Sequence, residues 1–408
     1  MANVLLVGTL DTKGHEIDFL RKRIKAAGCG VTLLDAGVLG APQIKLGRAD
    51  VRRDAVAEAG GATLVELIAA GDRGTAVMTM ARGAARIAQK LFAEGQVQGV
   101  LGMGGSGNSS IAAEAMRALP IGVPKLLVST LASGDTRPYV GSSDIAMMYS
   151  VVDIAGINRI SERILLNAAA AMAGMALDFG KKRRAARRKP LIGATMFGVT
   201  TPCVTTARAY LEKRGYEVLV FHATGTGGQS MEALIDGGFL AGVLDATTTE
   251  WADELVGGVL SAGPHRLEAA ARKGVPQVVS LGALDMVNFG PFESVPEKFR
   301  GRTFYKHNAT VTLMRTTPDE CAQLGRVIAG KLNAAVGPLA VFIPKKGVSM
   351  IATAGQPFFD PAADTALIDA LKSNLRADIP VYEFDTDIND PLFAKAMAVQ
   401  LDKMLRTS

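Results

Sequence analysis

The sequence predicts an α/β protein of two Rossmann-like lobes, each on a parallel sheet, related by an internal repeat and facing a ligand cleft between them. Three observations carry this expectation. An arrangement of strand, polar loop, helix pattern, glycine and second strand occurs near residue 4 and again near residue 191. Apolar runs alternate with helix-period segments in both halves, as strands covered on both faces by helices require. The strand-to-strand spacing of about 30 residues is that of a βαβ unit, whose parallel strands need a crossover helix.

Taken in order, the first lobe opens with the apolar run Val4-Leu5-Leu6-Val7-Gly8, the loop Thr9-Leu10-Asp11-Thr12-Lys13, a helix pattern, Gly28, and the strand Val31-Thr32-Leu33-Leu34-Asp35. Residues 40–61 form an insertion without counterpart in the second half, expected to be a mobile loop or lid, or equally a partner-docking surface. Further strands are expected at Gln98-Gly99-Val100-Leu101 and Lys125-Leu126-Leu127-Val128. The second lobe repeats the opening with Leu191-Ile192-Gly193-Ala194-Thr195, the loop from Phe197 to Cys203, a helix pattern, Gly215, and Val218-Leu219-Val220-Phe221-His222. Ala241-Gly242-Val243-Leu244 and Val275-Pro276-Gln277-Val278 echo the two later strands of the first lobe. The expected domains are 1–180, a basic linker at 181–190, and 191–408.

Composition agrees with two ordinary folded domains: 408 residues, 48% hydrophobic and 21% charged. No apolar run reaches the roughly 18 uninterrupted residues of a membrane helix. Asp11 and Lys13 follow the first apolar run too soon for a secretory leader, and the three cysteines, Cys29, Cys203 and Cys321, are too few and too scattered for a disulfide framework. A cytoplasmic location is therefore expected. The net charge of +6 is less than the seven positive charges between Lys181 and Lys189, so the basic balance reads as a solvated linker, with a polyanion patch as the alternative. With one Trp and no aromatic among these basics, nucleic acid is not the expected partner.

Ligands of open α/β sheets sit at the carboxyl ends of the strands, and three first-lobe loops stand there. Gly102-Met103-Gly104-Gly105-Ser106-Gly107-Asn108-Ser109 leaves a strand and enters a helix, so its N–H groups and the helix dipole suit a phosphate or carboxylate; a packing turn is the plainer reading. It is neither a Walker A loop nor a Gly-x-Gly-x-x-Gly fingerprint. In the second loop, Thr9, Thr12 and Lys13 suit phosphate neutralisation, and Asp11 either orients Lys13, holds a metal, or caps the helix in a box closed by Glu16. The third loop brings Ser129, Thr130, Ser133 and Gly134 beside Asp135 and Arg137. Together the three loops predict a nucleotide-type phosphate site.

The second-lobe loops differ in character. His222 precedes Gly225-Thr226-Gly227-Gly228, a further candidate anion loop, while Asp245, Glu250 and Asp285 end strands and His307 lies downstream. Imidazole and carboxylates at sheet ends suit general acid–base work or oxygen-rich metal ligation; the plainer reading makes His222 a strand-end residue bonded to its own loop. Cys203 opens a helix pattern, where the dipole would lower a thiol pKa. No Gly-x-Ser-x-Gly elbow is present.

Several of these segments, among them Thr9-Leu10-Asp11-Thr12-Lys13, Gly102-Met103-Gly104-Gly105-Ser106-Gly107, Ser129-Thr130-Leu131-Ala132-Ser133-Gly134, Met196-Phe197-Gly198-Val199-Thr200-Thr201-Pro202-Cys203 and Gly282-Ala283-Leu284-Asp285-Met286-Val287-Asn288-Phe289-Gly290-Pro291, resemble the signatures of one family. So do Phe221-His222-Ala223-Thr224-Gly225 and the stretch Val151-Val152-Asp153-Ile154-Ala155-Gly156-Ile157-Asn158. It is the bacterial and plant family typified by the ATP-binding amino-terminal region of the tomato mosaic virus resistance protein. The resemblance spans nearly the whole chain. It implies a two-domain protein that binds ATP with magnesium in the first lobe and forms a homodimer. The plant protein continues into a barrel-like domain, which implies a separate barrel-type partner enzyme for this chain. Three functional classes stand open: an ATP-dependent enzyme on a small carboxylate, carbonyl or acyl substrate; a nucleotide-gated binding or regulatory protein; and a metal-assisted hydrolase or lyase using His222 on an acyl-CoA-like substrate.

Overall fold

The computed structural model describes residues 1–44, 48–181 and 189–407, and the chain divides into two compact units, Met1–Arg184 and Ala185–Ser408. Most of the expected basic linker lies outside the described residues.

The first unit holds strands β1 (Asn3–Gly8), β2 (Gly30–Asp35), β3 (Gly99–Gly104), β4 (Lys125–Ser129) and β5 (Ala146–Tyr149) in one parallel sheet of order β2-β1-β3-β4-β5. Its helices are α1 (Leu10–Ala26), α2 (Arg53–Gly60), α3 (Leu64–Ala70), α4 (Arg73–Ala93), α5 (Ser106–Arg117), α6 (Arg137–Val140) and α7 (Arg159–Phe179). The continuous apolar run of β1 is explained by burial on both faces. Val4 and Leu6 pack with Ile17, Leu20 and Leu165 under α1 and α7, whereas Leu5 and Val7 pack with Met80, Ala84 and Ala112 under α4 and α5.

The 40–61 insertion is not a loop throughout. Its second half is α2, with Val56 and Ala57 in the core and Gly60 and Gly83 at a close crossing with α4. A Cβ on Gly83 would come within 1.8 Å of the Val56 carbonyl oxygen. Apolar residues at helical spacing packed against α4 override the polar, glycine-flanked look of the segment. Among the described residues one helix, α7, is long and apolar enough to cross a membrane, but its Leu165, Ala168, Ala169, Met172, Ala173 and Ala176 are buried against the sheet, as in the core helix of a covered parallel sheet.

The second unit holds β6 (Leu191–Met196), β7 (Glu217–His222), β8 (Gly242–Thr247), β9 (Gln277–Gly282), β10 (Met286–Phe289), β11 (Phe304–Lys306), β12 (Thr312–Arg315), β13 (Leu339–Pro344) and β14 (Val381–Phe384). Its helices are α8 (Thr201–Lys213), α9 (Thr226–Asp236), α10 (Glu250–Val256), α11 (Ala269–Lys273), α12 (Pro318–Asn333), α13 (Pro361–Asn374) and α14 (Pro391–Thr407). Six strands form a parallel sheet of order β14-β13-β9-β8-β6-β7. Read from β7, the order β7-β6-β8-β9-β13 reproduces β2-β1-β3-β4-β5, so the repeat seen in the sequence is a repeat of topology. The antiparallel sheet β10-β12-β11, inserted after β9, has no counterpart among the described residues of the first unit and carries Asn288 and Arg315, with His307 on the β11–β12 turn.

Candidate functional site

In the first unit the chain leaves β1 toward β2 on one side, and β3 lies on the other, which makes the β1/β3 boundary the switch point of the sheet. Gly8 pairs with Asp35, Val7 with Gly102, and Gly104 with Ser129, so the loops after β1, β3 and β4 stand side by side. The β3 loop is knitted to its neighbour: Ser109 Oγ lies 2.8 Å from Ser129 Oγ, and Thr130 N–H donates to the Gly104 carbonyl. Asn108 donates through Nδ2 to the Met103 carbonyl, and its buried Oδ1 has no donor.

The glycines of this loop divide into two kinds. A Cβ on Gly102 would meet Ala112 Cβ at 2.3 Å and one on Gly104 would meet Asn108 Cβ at 2.7 Å, so those two are required by packing. Gly105 and Gly107 are not. A Cβ on Gly105 would find only Thr130 Oγ1, at 3.8 Å, and one on Gly107 only Arg73 and Val77, at 3.7 and 3.8 Å. Gly105 has φ −81°, open to any residue, and no side chain caps α5. The first turn of α5 thus presents backbone N–H groups behind glycines that neither sterics nor dihedral angle demands.

The β1 loop is more occupied than its residue types suggest. Asp11 neither orients Lys13 nor caps α1: its Oδ2 accepts N–H groups from Val38 (3.0 Å) and Leu39 (2.8 Å), pinning the chain after β2, while Oδ1 has no partner. Glu16 closes no capping box; it accepts the Gly156 N–H at 2.6 Å. Lys13 donates to the Ile154 carbonyl, and Thr9 and Thr12 bond each other through their hydroxyls at 2.9 Å. On the β4 loop Ser133 and Gly134 are exposed, and Arg137 is paired with Asp135.

In the second unit the carboxylates turn inward. Arg266, fully buried, donates to both oxygens of Asp245 (2.6 and 2.7 Å) and to Glu250 Oε2 (2.7 Å), and approaches Glu232 at 3.3 Å. Glu250 Oε1 accepts the N–H groups of Gly225 (2.8 Å) and Gly228 (3.0 Å), so this carboxylate fills the start of α9. The expected anion loop beside His222 is therefore closed by the protein's own anion, and its glycines are packing glycines: a Cβ on Gly228 would meet Glu250 Oε2 at 2.2 Å and one on Gly227 the His222 carbonyl at 1.8 Å. Arg266, which organises the cluster, carries no motif and lies in a turn of ordinary composition.

His222 is exposed at the end of edge strand β7, its ring 5.4 Å from Phe197. Asp285 is fully buried, accepts Ser349 Oγ at 2.7 Å, and is pushed by desolvation to a pKa of about 6. His307 sits exposed on the β11–β12 turn. Among the described residues no hydrogen bond, ion pair or ring contact joins His222, Asp285 and His307 to one another or to the Arg266 cluster, and no group of three or more His, Cys, Asp or Glu is placed to hold a metal. Cys203 corrects a further expectation: it lies in the first turn of α8 but is wholly buried, and desolvation pushes its thiol up to about 12, overwhelming the dipole.

The fold and these loops define a two-domain parallel α/β protein in which the first domain alone keeps an open glycine loop at its switch point. The chain belongs to the uncharacterised protein family UPF0261, whose N-terminal domain matches residues 2–180 and whose C-terminal domain matches residues 189–405. A UPF0261 protein of Clostridium tetani is 53% identical over 403 residues, covering 98% of each chain. The tomato (Solanum lycopersicum) ToMV susceptible protein tm-1(GCR26) is 40% identical over 97% of this chain and 54% of its own length, and the ToMV resistance protein Tm-1(GCR237) is 41% identical with the same coverage. The family resemblance read from the motifs thus holds. Among solved structures, a UDP-GlcNAc 2-epimerase of Methanocaldococcus jannaschii aligns over 68% of this chain and 83% of its own at 9% identity, with a TM-score of 0.26, too slight a likeness to carry fold or function.

Proposed function

We propose that the first domain binds a nucleotide through its phosphates, with magnesium-bound ATP as the form expected, at the ends of β1, β3 and β4. The observation that carries this is the pair Gly105 and Gly107, bare without internal need over the uncapped start of α5. Phosphate oxygens would take the N–H groups of Ser106, Gly107 and Asn108 and the Thr130 hydroxyl, in the manner of anions at helix starts. Magnesium usually keeps several waters and rides on phosphate oxygens, so it needs no protein cage; Asp11, with its free Oδ1, is the carboxylate of these loops left to accept from a metal-bound water.

For the second domain we favour a ligand-responsive binding or regulatory role over acid–base turnover, because Asp245 and Glu250 are consumed by Arg266 and Asp285 is sealed from solvent, leaving the accessible His222 and His307 with no carboxylate of the set beside them. Calorimetric titration with Mg-ATP tests the first domain. The wild-type chain should bind, and Gly105→Val should lose binding with its melting temperature unchanged, since a Cβ at Gly105 meets nothing closer than Thr130 Oγ1 at 3.8 Å while a branched side chain would occupy the space the phosphate needs. An unchanged affinity in a folded Gly105→Val variant overturns the reading.

A further inference from the structure

A polyphosphate site in an α/β domain ordinarily includes a side-chain cation, and Lys13, the obvious choice by sequence, is committed to the Ile154 carbonyl. A different cation stands at the loop. Arg73 is the first residue of α4, the helix that leads into β3, while α5 leaves β3; the two helices pack along each other, so both begin at the carboxyl edge of the sheet. The Arg73 guanidinium lies 3.7 Å from the point where a Gly107 Cβ would be, next to the bare stretch of the glycine loop. It makes no hydrogen bond or ion pair among the described residues. The neighbouring Asp72 does not claim it, because both Asp72 oxygens are turned to the N–H groups of Gly74 (3.1 Å) and Thr75 (3.0 Å) as the cap of α4. The place therefore combines an uncapped helix start, a second helix start beside it and an unclaimed guanidinium next to the bare glycines.

We propose that Arg73 is the phosphate-binding cation of this site, clamping a nucleotide's phosphate oxygens from the Gly107 side, and that Lys13 is a tether for residues 150–157. This rests on the phosphate reading above. A planar fork suits a phosphate's paired oxygens, and removing one charge-assisted contact costs about tenfold or more in affinity.

The test is Mg-ATP titration of wild type, Arg73→Met, Arg73→Lys, Lys13→Met and Gly105→Val, each at low and high salt. Arg73→Met should bind at least about tenfold more weakly with a shallower salt dependence, Arg73→Lys should recover part of the loss, and Lys13→Met should stay within about threefold of wild type. Arg73 is exposed and bonded to none of the described residues, so its variants should melt as the wild type does. If Gly105→Val abolishes binding while Arg73→Met stays within about twofold of wild type, the Arg73 assignment is overturned and the phosphate site survives. A tenfold loss in Lys13→Met without one in Arg73→Met returns the cation role to Lys13. A wild-type chain that does not bind Mg-ATP, or a Gly105→Val chain that binds it normally, removes both proposals.

Discussion

Arg266 and Asp245 face each other as a two-pronged pair, Nη1 to Oδ2 at 2.6 Å and Nη2 to Oδ1 at 2.7 Å, with both side chains all but sealed from solvent. Thr195 Oγ1 donates to the same carboxylate at 2.7 Å, and Glu250 and Glu232 complete the guanidinium's surroundings. The cluster ties β6, β8, the turn before α9 and the turn before α11 together around one positive charge.

Replacing that charge strands three carboxylates. Arg266→Met should destabilise the protein by about 3–5 kcal/mol, the range for breaking a buried ion pair from one side. Arg266→Lys should recover little, because an ammonium cannot span Asp245 and Glu250 at once. Urea unfolding followed by circular dichroism measures both, and a loss below about 1 kcal/mol in Arg266→Met would show that the cluster is not what holds these turns.

Asp253 gives a pH signature. Buried beside Asn288, its carboxyl is raised by desolvation to about 7, above the 3.8 of a free side chain. Between those values the folded protein holds the proton and the unfolded chain does not, so stability should fall as pH rises from about 4 to about 7 and level off above. Asp285, at about 6, adds to the same slope. Asp253→Asn should flatten the slope and leave the protein equal or more stable at pH 8: an amide there can still accept the N–H groups of Leu260 and Asn288, and a flipped Asn288 would present its unpartnered Oδ1 to the new donor. Thermal melts at half-unit pH steps check this, and a steeper slope in the variant refutes it.

The two kinds of glycine should separate in stability measurements. Gly228→Ala drives a methyl into Glu250 and should cost at least about 2 kcal/mol. Gly107→Ala meets nothing closer than 3.7 Å and gains helix propensity, so it should be neutral or stabilising by up to about 1 kcal/mol. Comparable losses in the two variants would remove the distinction.

Thiol chemistry offers an independent check on the interior. Cys29, Cys203 and Cys321 are all buried with raised pKa values, Cys203 to about 12 and Cys321 to about 11. At pH 8 a disulfide reagent should titrate almost no thiol in the native protein and all three in guanidinium. Rapid native labelling of Cys203 would mean that the start of α8 opens.

Strand positions and the repeat were legible because strands buried on both faces must be continuously apolar, and that pattern survives in β1, β3, β6 and β8 without knowledge of their neighbours; the order of the strands came only with the fold. The glycine loop after β3 was legible as a strand-end turn into a helix for similar local reasons. What separates it from the loop at Gly225 is not local. Both read as glycines and hydroxyls before a helix, and only the fold reveals that Glu250, 22 residues beyond Gly228, already fills one of them. Asp245 and Glu250 were opaque for the same cause, since a carboxylate aimed at a ligand and one aimed at an internal donor look alike until the donor is located. Arg266 binds partners 16, 21 and 34 residues away, beyond any local spacing rule.

The seating of Glu250 at the start of α9 has a consequence in terms of mass action. A carboxylate delivered by the same chain is present at a fixed and very high effective concentration, so that helix end stays saturated whatever the solution contains. Among the described residues the start of α5 has no such resident, and under the proposed phosphate reading its occupancy would vary with the supply of an outside anion. On that reading one topology, used twice, would yield a helix start that is indifferent to its surroundings and another able to report on them.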